Sequence, residues 1–268
     1  MEKRTRRGFL LGLGTLGAGA LASWIFRKPI IRKLFFDGDF DPANLTMAPS
    51  GNDKLCLLTS AQEEGPFYYP SPERRDISED RKGQKLTFRM QVNRHPECTP
   101  VEGAVVEIWH CDAEGTYSGY PEEITHDEWK SFVFMLGEGE SRDGVFHVDP
   151  VNDNRFLRGL QRTDAEGWVQ FDTIFPGWYT GRVPHIHAKI MISENEQLTT
   201  QFYFDTALCN SIYTALEPYR NYGASPMSFE NDVVLSEGGA NGLLLEVLPG
   251  LKNGDILESQ ARIGVQRA

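Results

Sequence analysis

The stretch DTIFPGWYTGRVPHIHAKIMI, which spans Asp172–Ile192, combines a turn with a predicted strand that carries two histidines. Its second half alternates as a half-buried strand does, because successive strand residues point to opposite faces of a sheet. The two predicted faces consist of Ile186, Ala188, Ile190 and Ile192 on one side and of His185, His187, Lys189 and Met191 on the other. Residues two apart on a strand lie about 6.5 Å apart at Cα, so both imidazoles can bind one metal ion. Two ordinary strand histidines are the alternative interpretation.

The residues before the histidine pair bring a tyrosine and an arginine to the same place. Pro176 and Gly177 indicate a turn, and Tyr179 and Arg182 follow in a short loop that leads back into the strand. A phenol titrates at a pH of about 10 in water, but a trivalent cation favours the phenolate. Tyr179 is therefore a candidate anionic ligand, with an aromatic lid at the edge of a sheet as the alternative. For Arg182 the alternative is an exposed loop arginine.

Three further motifs accompany this stretch, two of them earlier in the chain and one overlapping its first half. Trp109–Ser118 reads WHCDAEGTYS, Thr163–Tyr179 reads TDAEGWVQFDTIFPGWY, and Glu64–Tyr69 reads EGPFYY. Together with RVPHIH at Arg182–His187, these motifs resemble the intradiol ring-cleavage dioxygenases, which include catechol and protocatechuate dioxygenases. The resemblance covers roughly residues 58–205 in the order of the family, which makes chance agreement improbable.

The resemblance implies a non-haem Fe(III) site whose four ligands are Tyr117, Tyr179, His185 and His187. Two phenolates and two neutral imidazoles form a hard, anionic set that suits Fe(III) better than Fe(II) or Zn(II). A cupin would need a glutamate about four or five residues after the second histidine. Here Lys189 and Met191 occupy the metal-facing positions, and Glu194 comes too late. A Zn(II) hydrolase that uses the two histidines would lack a matching third ligand and general base.

The resemblance also implies roles for individual residues. Tyr179 would leave the iron and take up a proton when a catechol-type substrate binds, and Arg182 would stabilise negative charge on the substrate carbon. Gln201 would act as a hydrogen-bonding pocket residue; the alternative interpretation is a strand glutamine that faces solvent. Gly65 and Pro66 would line the substrate pocket, or would form a plain turn.

The implied reaction uses O2 to cleave the ring between its two hydroxylated carbons and gives a muconate-type diacid. Two other functions remain open at this point. The first is a catalytically inactive β-sandwich that acts as a binding module, and the second is a different metal-dependent hydrolase.

Composition points to an all-β fold of one sizeable domain. The 268 residues include 26 Gly and 15 Pro, which separate short strand-like runs, and helical periodicity is scarce. With the resemblance, this predicts a β-sandwich of mixed sheets with a few short helices and long active-site loops. The formal net charge of −11 argues against binding of nucleic acid.

The N-terminal region predicts export. Residues 5–10, TRRGFL, form a twin-arginine signal that precedes a small-residue apolar run to Ala22. Cleavage after this run would remove a net charge of +3 and leave −14. We therefore expect a signal peptide at 1–22 that is read by the twin-arginine export machinery, a tether at 23–54 and a catalytic domain at 55–268. The protein would be periplasmic or secreted, or membrane-anchored if the signal is not cleaved.

Other parts of the sequence support more local predictions. Strands are expected at Leu86–Val92 and Ala104–Cys111, a hairpin at Arg162–Phe175, a helix within Asp205–Tyr219, and a turn at Asn241–Gly242. A capping box at Thr125–Glu128 would begin a helix over Trp129–Met135. This helix lies in an insertion at 121–160, which we hypothesise covers the pocket and selects the substrate.

The cysteines and the assembly state are less constrained by the sequence. The four cysteines, Cys56, Cys98, Cys111 and Cys209, lack C-x-x-C spacing and permit up to two disulfides. His126 and His147 in the insertion are not expected to bind the metal. The resemblance leaves homo-oligomer formation open.

Overall fold

A computed structural model of the chain describes residues 45–49, 58–142, 145–193, 196–232, 234–235, 242–249 and 255–266. The predicted signal peptide at 1–22, most of the tether at 23–54, Cys56 and Asn241 lie outside the described residues. None of the described helices is long and apolar enough to cross a membrane.

The described residues form thirteen strands and two α-helices, with short 3-10 turns between them. The strands are β1 (Leu45–Met47), β2 (Lys85–His95), β3 (Thr99–Pro100), β4 (Val105–Trp109), β5 (Gly139–Arg142), β6 (Val145–Val148), β7 (Arg158–Arg162), β8 (Trp168–Ile174), β9 (His185–Ser193), β10 (Glu196–Phe204), β11 (Gly242–Leu245), β12 (Val247–Pro249) and β13 (Ile256–Gln266). The helices are α1 (Glu128–Glu138) and α2 (Thr206–Ala215). The predicted all-β class is therefore confirmed.

Two mixed sheets make up the sandwich. The first has the strand order β1-β11-β10-β9-β4-β7, and the second has the order β12-β13-β2-β3 with β8 also paired to β2. Strands β5 and β6 form a separate hairpin. The pairs β1 with β11, β10 with β11, and β13 with β2 are parallel, and the other pairs are antiparallel. Strand β1 lies within the stretch predicted as a tether, and it belongs to the first sheet.

The core lies between the two sheets and follows the period of two. From the first sheet it takes Ile186, Ala188 and Ile190 of β9, which are fully buried. Leu86, Phe88, Met90 and Val92 of β2 face them from the second sheet and are equally buried. The rings of Phe88 and Phe202 meet across the core with centroids 5.3 Å apart. The odd-numbered residues of β9, including both histidines, consequently lie on the outer face of the first sheet.

Two local predictions differ from the structure. The turn at Asp164–Gly167 is present, but its arms β7 and β8 join different sheets, so Arg162–Phe175 is a crossover and not a hairpin. Helix α1 is capped by Asp127, whose Oδ1 accepts a hydrogen bond from the amide of Lys130 at 3.0 Å, and not by Thr125. The carbonyl of Thr125 instead accepts from the amide of Thr180.

The remaining predicted elements occur close to their expected positions. Strand β2 extends beyond Leu86–Val92 at both ends, β4 is shorter than Ala104–Cys111, and α2 lies inside Asp205–Tyr219. Asp205 caps α2 through a hydrogen bond from the amide of Leu208. Gly242 is the first residue of β11, and the other residue of the predicted turn, Asn241, lies outside the described residues.

Candidate metal centre

The centre is built on one row of residues that crosses four strands of the first sheet. Arg158 of β7 lies opposite Trp109 of β4, Trp109 lies opposite His187 of β9, and His187 lies opposite Gln201 of β10. Cross-strand partners share a face of the sheet, so these four side chains point outward together. The rings of Trp109 and His187 are stacked with centroids 4.8 Å apart and an interplanar angle of 3°. His185 adds a second imidazole, because it precedes His187 by two residues.

The loop after β4 delivers Tyr117. Asp112 accepts hydrogen bonds through Oδ1 from the amides of Glu114 and Thr116, at 3.0 and 2.9 Å, which closes a tight turn. Gly115 in this turn has φ +83°, and a Cβ atom there would lie 2.1 Å from the carbonyl oxygen of Trp178. The motif glycine is thus required for both the turn and the close approach of the next loop.

His110 of the same motif holds the two sheets together below the site. Its Nε2 is 2.8 Å from Oγ1 of Thr173 on β8, and its Nδ1 is 2.7 Å from the carbonyl oxygen of Cys111. Burial lowers the pKa of His110 to about 4. The imidazole is therefore neutral near pH 7 and has a structural role.

The loop between β8 and β9 delivers Tyr179 and Arg182. The amide of Gly177 donates to the carbonyl of Asp112 at 2.9 Å, and a Cβ atom on Gly177 would lie 2.4 Å from the carbonyl oxygen of Ala113. The backbones of the two tyrosine loops are therefore in direct contact. Tyr179 and Arg182 form an isolated antiparallel bridge across the tight turn that leads into β9.

The four predicted ligands come together around one nitrogen atom. Nε2 of His185 lies 2.9 Å from Nε2 of His187, 3.4 Å from the Tyr117 hydroxyl and 3.3 Å from the Tyr179 hydroxyl. Metal ions bind nitrogen and oxygen ligands at about 2.0–2.2 Å, which separates neighbouring ligand atoms by about 2.9–3.6 Å. These distances between donor atoms match a shared metal ion.

Hydrogen bonding orients His185 for metal binding. Its Nδ1 is 2.6 Å from the carbonyl oxygen of Val183, so Nδ1 carries the proton and Nε2 presents its lone pair. One lone pair cannot satisfy two phenols and a second imidazole at once, whereas a cation accepts all four donor atoms. The other nitrogen of His187, Nδ1, is buried and has no hydrogen-bond partner among the described residues.

Electrostatics keeps the imidazoles neutral and makes the phenols dependent on a cation. Burial, followed by the charge of Arg182, holds the pKa of His185 well below its ordinary value, and burial does the same for His187. Burial raises the pKa of Tyr117 and of Tyr179. Without a metal both tyrosines are therefore neutral phenols, and a strongly charged cation is needed to form phenolates.

Arg182 is buried in a hydrogen-bond network and is not an exposed loop residue. Its Nε lies 3.1 Å from both carboxylate oxygens of Asp232, and its Nη2 donates to Oε1 of Gln201 at 2.5 Å. Burial alone would lower the pKa of Arg182, but the Asp232 carboxylate and the nearby tyrosines raise it. The guanidinium therefore stays charged beside the ligands. Gln201 is also fully buried, and its Nε2 donates to the carbonyl of Glu63 at 2.7 Å.

The segment around Gly65 closes one side of the centre. Gly65 has φ +79°, and a Cβ atom there would lie 3.3 Å from Cε1 of His187. The next residue, Pro66, accepts a hydrogen bond through its carbonyl from the amide of Val148 at 2.9 Å. Gly65 thus lies against the His187 ring, and Pro66, the next residue, is linked to the insertion through Val148.

Neither histidine of the insertion joins the four donor atoms. His126 stacks on Tyr222, with centroids 3.7 Å apart, and its Nε2 bonds to the carbonyl of Glu114. His147 lies 3.6 Å from a carboxylate oxygen of Glu64. In the part of the chain that the structure describes, no group of three or more His, Cys, Asp and Glu side chains is arranged to hold a metal ion.

The structure adds three residues that sequence reasoning did not assign a role: Asp232, Trp109 as a stacking partner, and Arg158. The signal for Trp109 was available, since it stands at the start of the WHCD motif and is the last residue of β4. Asp232 is 50 residues from Arg182 along the chain. Cys111 and Cys209 are buried free thiols.

Comparisons with known proteins identify the family of the chain. The family model described as Dioxygenase matches residues 63–218 of the chain. Among solved structures, an intradiol ring-cleavage dioxygenase from Tetranychus urticae is 31% identical and superposes with a TM-score of 0.64, covering 79% of this chain and 95% of that one.

Curated relatives match over shorter segments. A chlorocatechol 1,2-dioxygenase from Pseudomonas sp. (strain P51) is 28% identical over 127 residues, which are 47% of this chain and 46% of that protein. Catechol 1,2-dioxygenase 1 from Acinetobacter lwoffii is 26% identical over 212 residues, covering 64% of this chain and 58% of that protein. The chain thus spans about half the length of the curated relatives it matches.

Proposed function

The chain belongs to the dioxygenase family whose model it matches, and from its site we propose that it is a non-haem Fe(III)-dependent intradiol dioxygenase that cleaves a catechol-type aromatic. The observation that carries the proposal is that the other imidazole nitrogen and the two phenol oxygens each lie 2.9–3.4 Å from Nε2 of His185. In the proposed reaction, ring opening occurs between the two hydroxylated carbons. Both oxygen atoms of O2 end in the muconate-type diacid.

The proposed ligands are Tyr117, Tyr179, His185 and His187. Bound Fe(III) would supply Lewis acidity toward the two catechol oxygens and draw electron density from the ring. The neutral imidazoles need no deprotonation to bind it, because their pKa values are held well below the ordinary value. The two phenols each release a proton when they become ligands.

Tyr179 and Arg182 have distinct proposed tasks. Tyr179 belongs to a short loop, and as a phenolate its oxygen would accept the proton of a catechol hydroxyl when the substrate takes its place. Arg182, fixed by Asp232 and Gln201, presents a permanent positive charge to the negative charge that builds on the substrate carbon. Its geometry is set before substrate arrives, so no reorganisation is needed.

Aromatic residues exclude water from the proposed ligands. The ring of Phe67 lies 5.3 Å from that of Tyr117 and 4.6 Å from that of Tyr120. Val148 of β6 is buried in the same cluster and accepts a hydrogen bond from the Tyr120 hydroxyl through its carbonyl. We propose that the insertion at 121–160, which supplies Tyr117's neighbour Val148, selects among catechols by their ring substituents. Unchanged substrate preference in a folded variant without α1 and the β5–β6 hairpin would contradict this.

The decisive experiment is a visible absorption spectrum of purified protein with its iron quantified. Phenolate bound to Fe(III) gives a charge-transfer band, and we expect this band to shift to longer wavelength when a catechol is added without oxygen. Tyr179→Phe should weaken the band. Tyr120→Phe is the matched control, because Tyr120 is a buried neighbour that is not among the four donors. Colourless protein that contains one iron per chain would refute the phenolate ligands.

We further propose that the protein is exported by the twin-arginine pathway. The support is the sequence of residues 5–10 and the apolar run that follows it. This pathway carries folded proteins, which suits a metal site that is loaded before export. Replacement of Arg6 and Arg7 by lysine should retain the protein in the cytoplasm, as measured by cell fractionation.

A further inference from the structure

Arg158 is a fully buried arginine on the sheet face that carries the proposed ligands. It is the first residue of β7 and is two strands away from His187 in the same row, with Trp109 between them. Neighbouring strands are about 4.8 Å apart, so the backbones of Arg158 and His187 are about 10 Å apart, a gap that a long side chain can partly cross. The proposed reaction assigns it no role.

The contacts of Arg158 lead directly to Tyr117. Its Nε donates to Oγ of Ser118 at 2.8 Å, and its Nη2 donates to the carbonyl oxygen of Ser118 at 3.1 Å. The guanidinium carbon lies 4.0 Å from the ring centroid of Tyr69 and 6.0 Å from that of Tyr117. The Tyr69 hydroxyl donates to the same Ser118 carbonyl at 3.0 Å. Two side chains thus hold the residue that follows Tyr117.

The charge of Arg158 has no carboxylate partner within the described residues. Its Nη1 is buried without a hydrogen-bond partner there, whereas the other buried arginine of the site, Arg182, is paired with Asp232. An arginine remains protonated in proteins, and a buried cation is costly unless an anion compensates it. Among the groups in contact with Arg158, Tyr117 becomes an anion when the proposed metal binds.

We propose that Arg158 is a positioning residue for Tyr117. Arg158 holds the Tyr117 loop through Ser118, and its positive charge, which has no carboxylate partner among the described residues, is compensated by the Tyr117 phenolate. The inference rests on the proposed function. A fixed cation beside a metal favours the form with the lower metal charge, so Arg158 raises the Fe(III)/Fe(II) reduction potential.

The test compares reduction potentials of iron-loaded variants by anaerobic spectroelectrochemical titration of the charge-transfer band. Arg158→Met removes the charge at similar length, and Arg158→Lys keeps the charge without the planar fork. A second pair changes Ser118 instead: Ser118→Asp sets a carboxylate beside the guanidinium, and Ser118→Asn is its uncharged match. We expect R158M and S118D to have lower potentials than R158K and S118N.

Each result decides between the two proposals. A potential of R158M equal to that of R158K, or of S118D equal to that of S118N, with the band retained, overturns the role of Arg158 and leaves the proposed function intact. If R158M does not fold, the Ser118 pair alone decides. Absence of the band from iron-loaded wild-type protein refutes the proposed function, and the role of Arg158 falls with it.

Discussion

Replacement of Asp232 by asparagine tests whether a buried charge pair holds Arg182 in place. Asp232 is fully buried, and its Oδ1 accepts hydrogen bonds from Arg182 Nε and from the amides of Val234 and Leu235, at 3.1, 2.9 and 3.0 Å. Its Oδ2 accepts from Arg182 Nε at 3.1 Å and from the amide of Val183 at 2.7 Å. The carboxylate therefore accepts five hydrogen-bond contacts from four N–H groups, because Arg182 Nε–H is shared by both oxygens, and an amide of the same shape cannot reproduce them.

The magnitude follows from what Asp232→Asn leaves unpaired. If the new amide oxygen takes the Oδ1 position, the amide nitrogen faces the N–H of Val183 across 2.7 Å. One buried N–H without a partner costs about 1–3 kcal/mol, and loss of one partner of a buried ion pair costs about 3–5 kcal/mol. These costs overlap, so we expect a loss of about 4 kcal/mol in the free energy of unfolding.

The assay is equilibrium urea unfolding, followed by circular dichroism in the presence of a chelator. Glu217→Gln is the control, because its ion pair with Arg220 is more than half exposed and should contribute less than about 0.5 kcal/mol. A double-mutant cycle with Arg182→Met should show that the double variant is less destabilised than the sum of the single variants. A loss below about 1 kcal/mol for D232N, or an additive cycle, would refute the reasoning.

Two further predictions concern the glycine beside the site and a buried histidine. Gly65→Ala and Gly103→Ala both force an alanine into positive φ and should each cost about 1 kcal/mol of stability. Only the new Cβ at residue 65 meets the His187 ring, so only G65A should lower iron affinity in a competitive chelator titration. Equal iron affinities of the two variants would contradict this. His110 has a pKa of about 4, below its ordinary 6.5, so its contribution to stability is complete above pH 6.5 and is lost as the pH falls toward 4, by about 3 kcal/mol. Burial raises the pKa of Asp112 to about 6, so this residue changes stability in the opposite direction over the same pH range. The measurement is therefore the pH dependence of the free energy of unfolding for wild type minus that for His110→Gln. Parallel curves for the two proteins would disprove the prediction.

The period of two in the sequence was sufficient to predict which side chains of β9 share a face. The apolar partners Ile186, Ala188 and Ile190 are fully buried in the core, and the histidines point to the other face. This prediction needed only local geometry. The crossover at Asp164–Gly167 shows where local geometry stops, because the same turn chemistry can join strands of one sheet or carry the chain to another. Which sheet β8 joins depends on its pairing with β2, far earlier in the chain.

The charged residues around the site could not be predicted from local sequence in the way that the strand faces could. A buried guanidinium requires an anion to compensate its charge, but this requirement does not say which residue supplies the anion. Asp232 balances Arg182 from a segment beyond α2, where its sequence context is that of an ordinary turn. Arg158 follows β4 by almost fifty residues and is buried only because the Tyr69 and Ser118 segments cover it. Residue types and spacing therefore identify the atoms that can bind a metal. The groups that set the charge around those atoms become visible only once the covering segments are in place, and a substitution in such a group should alter the potential of the site with little change in its ligands.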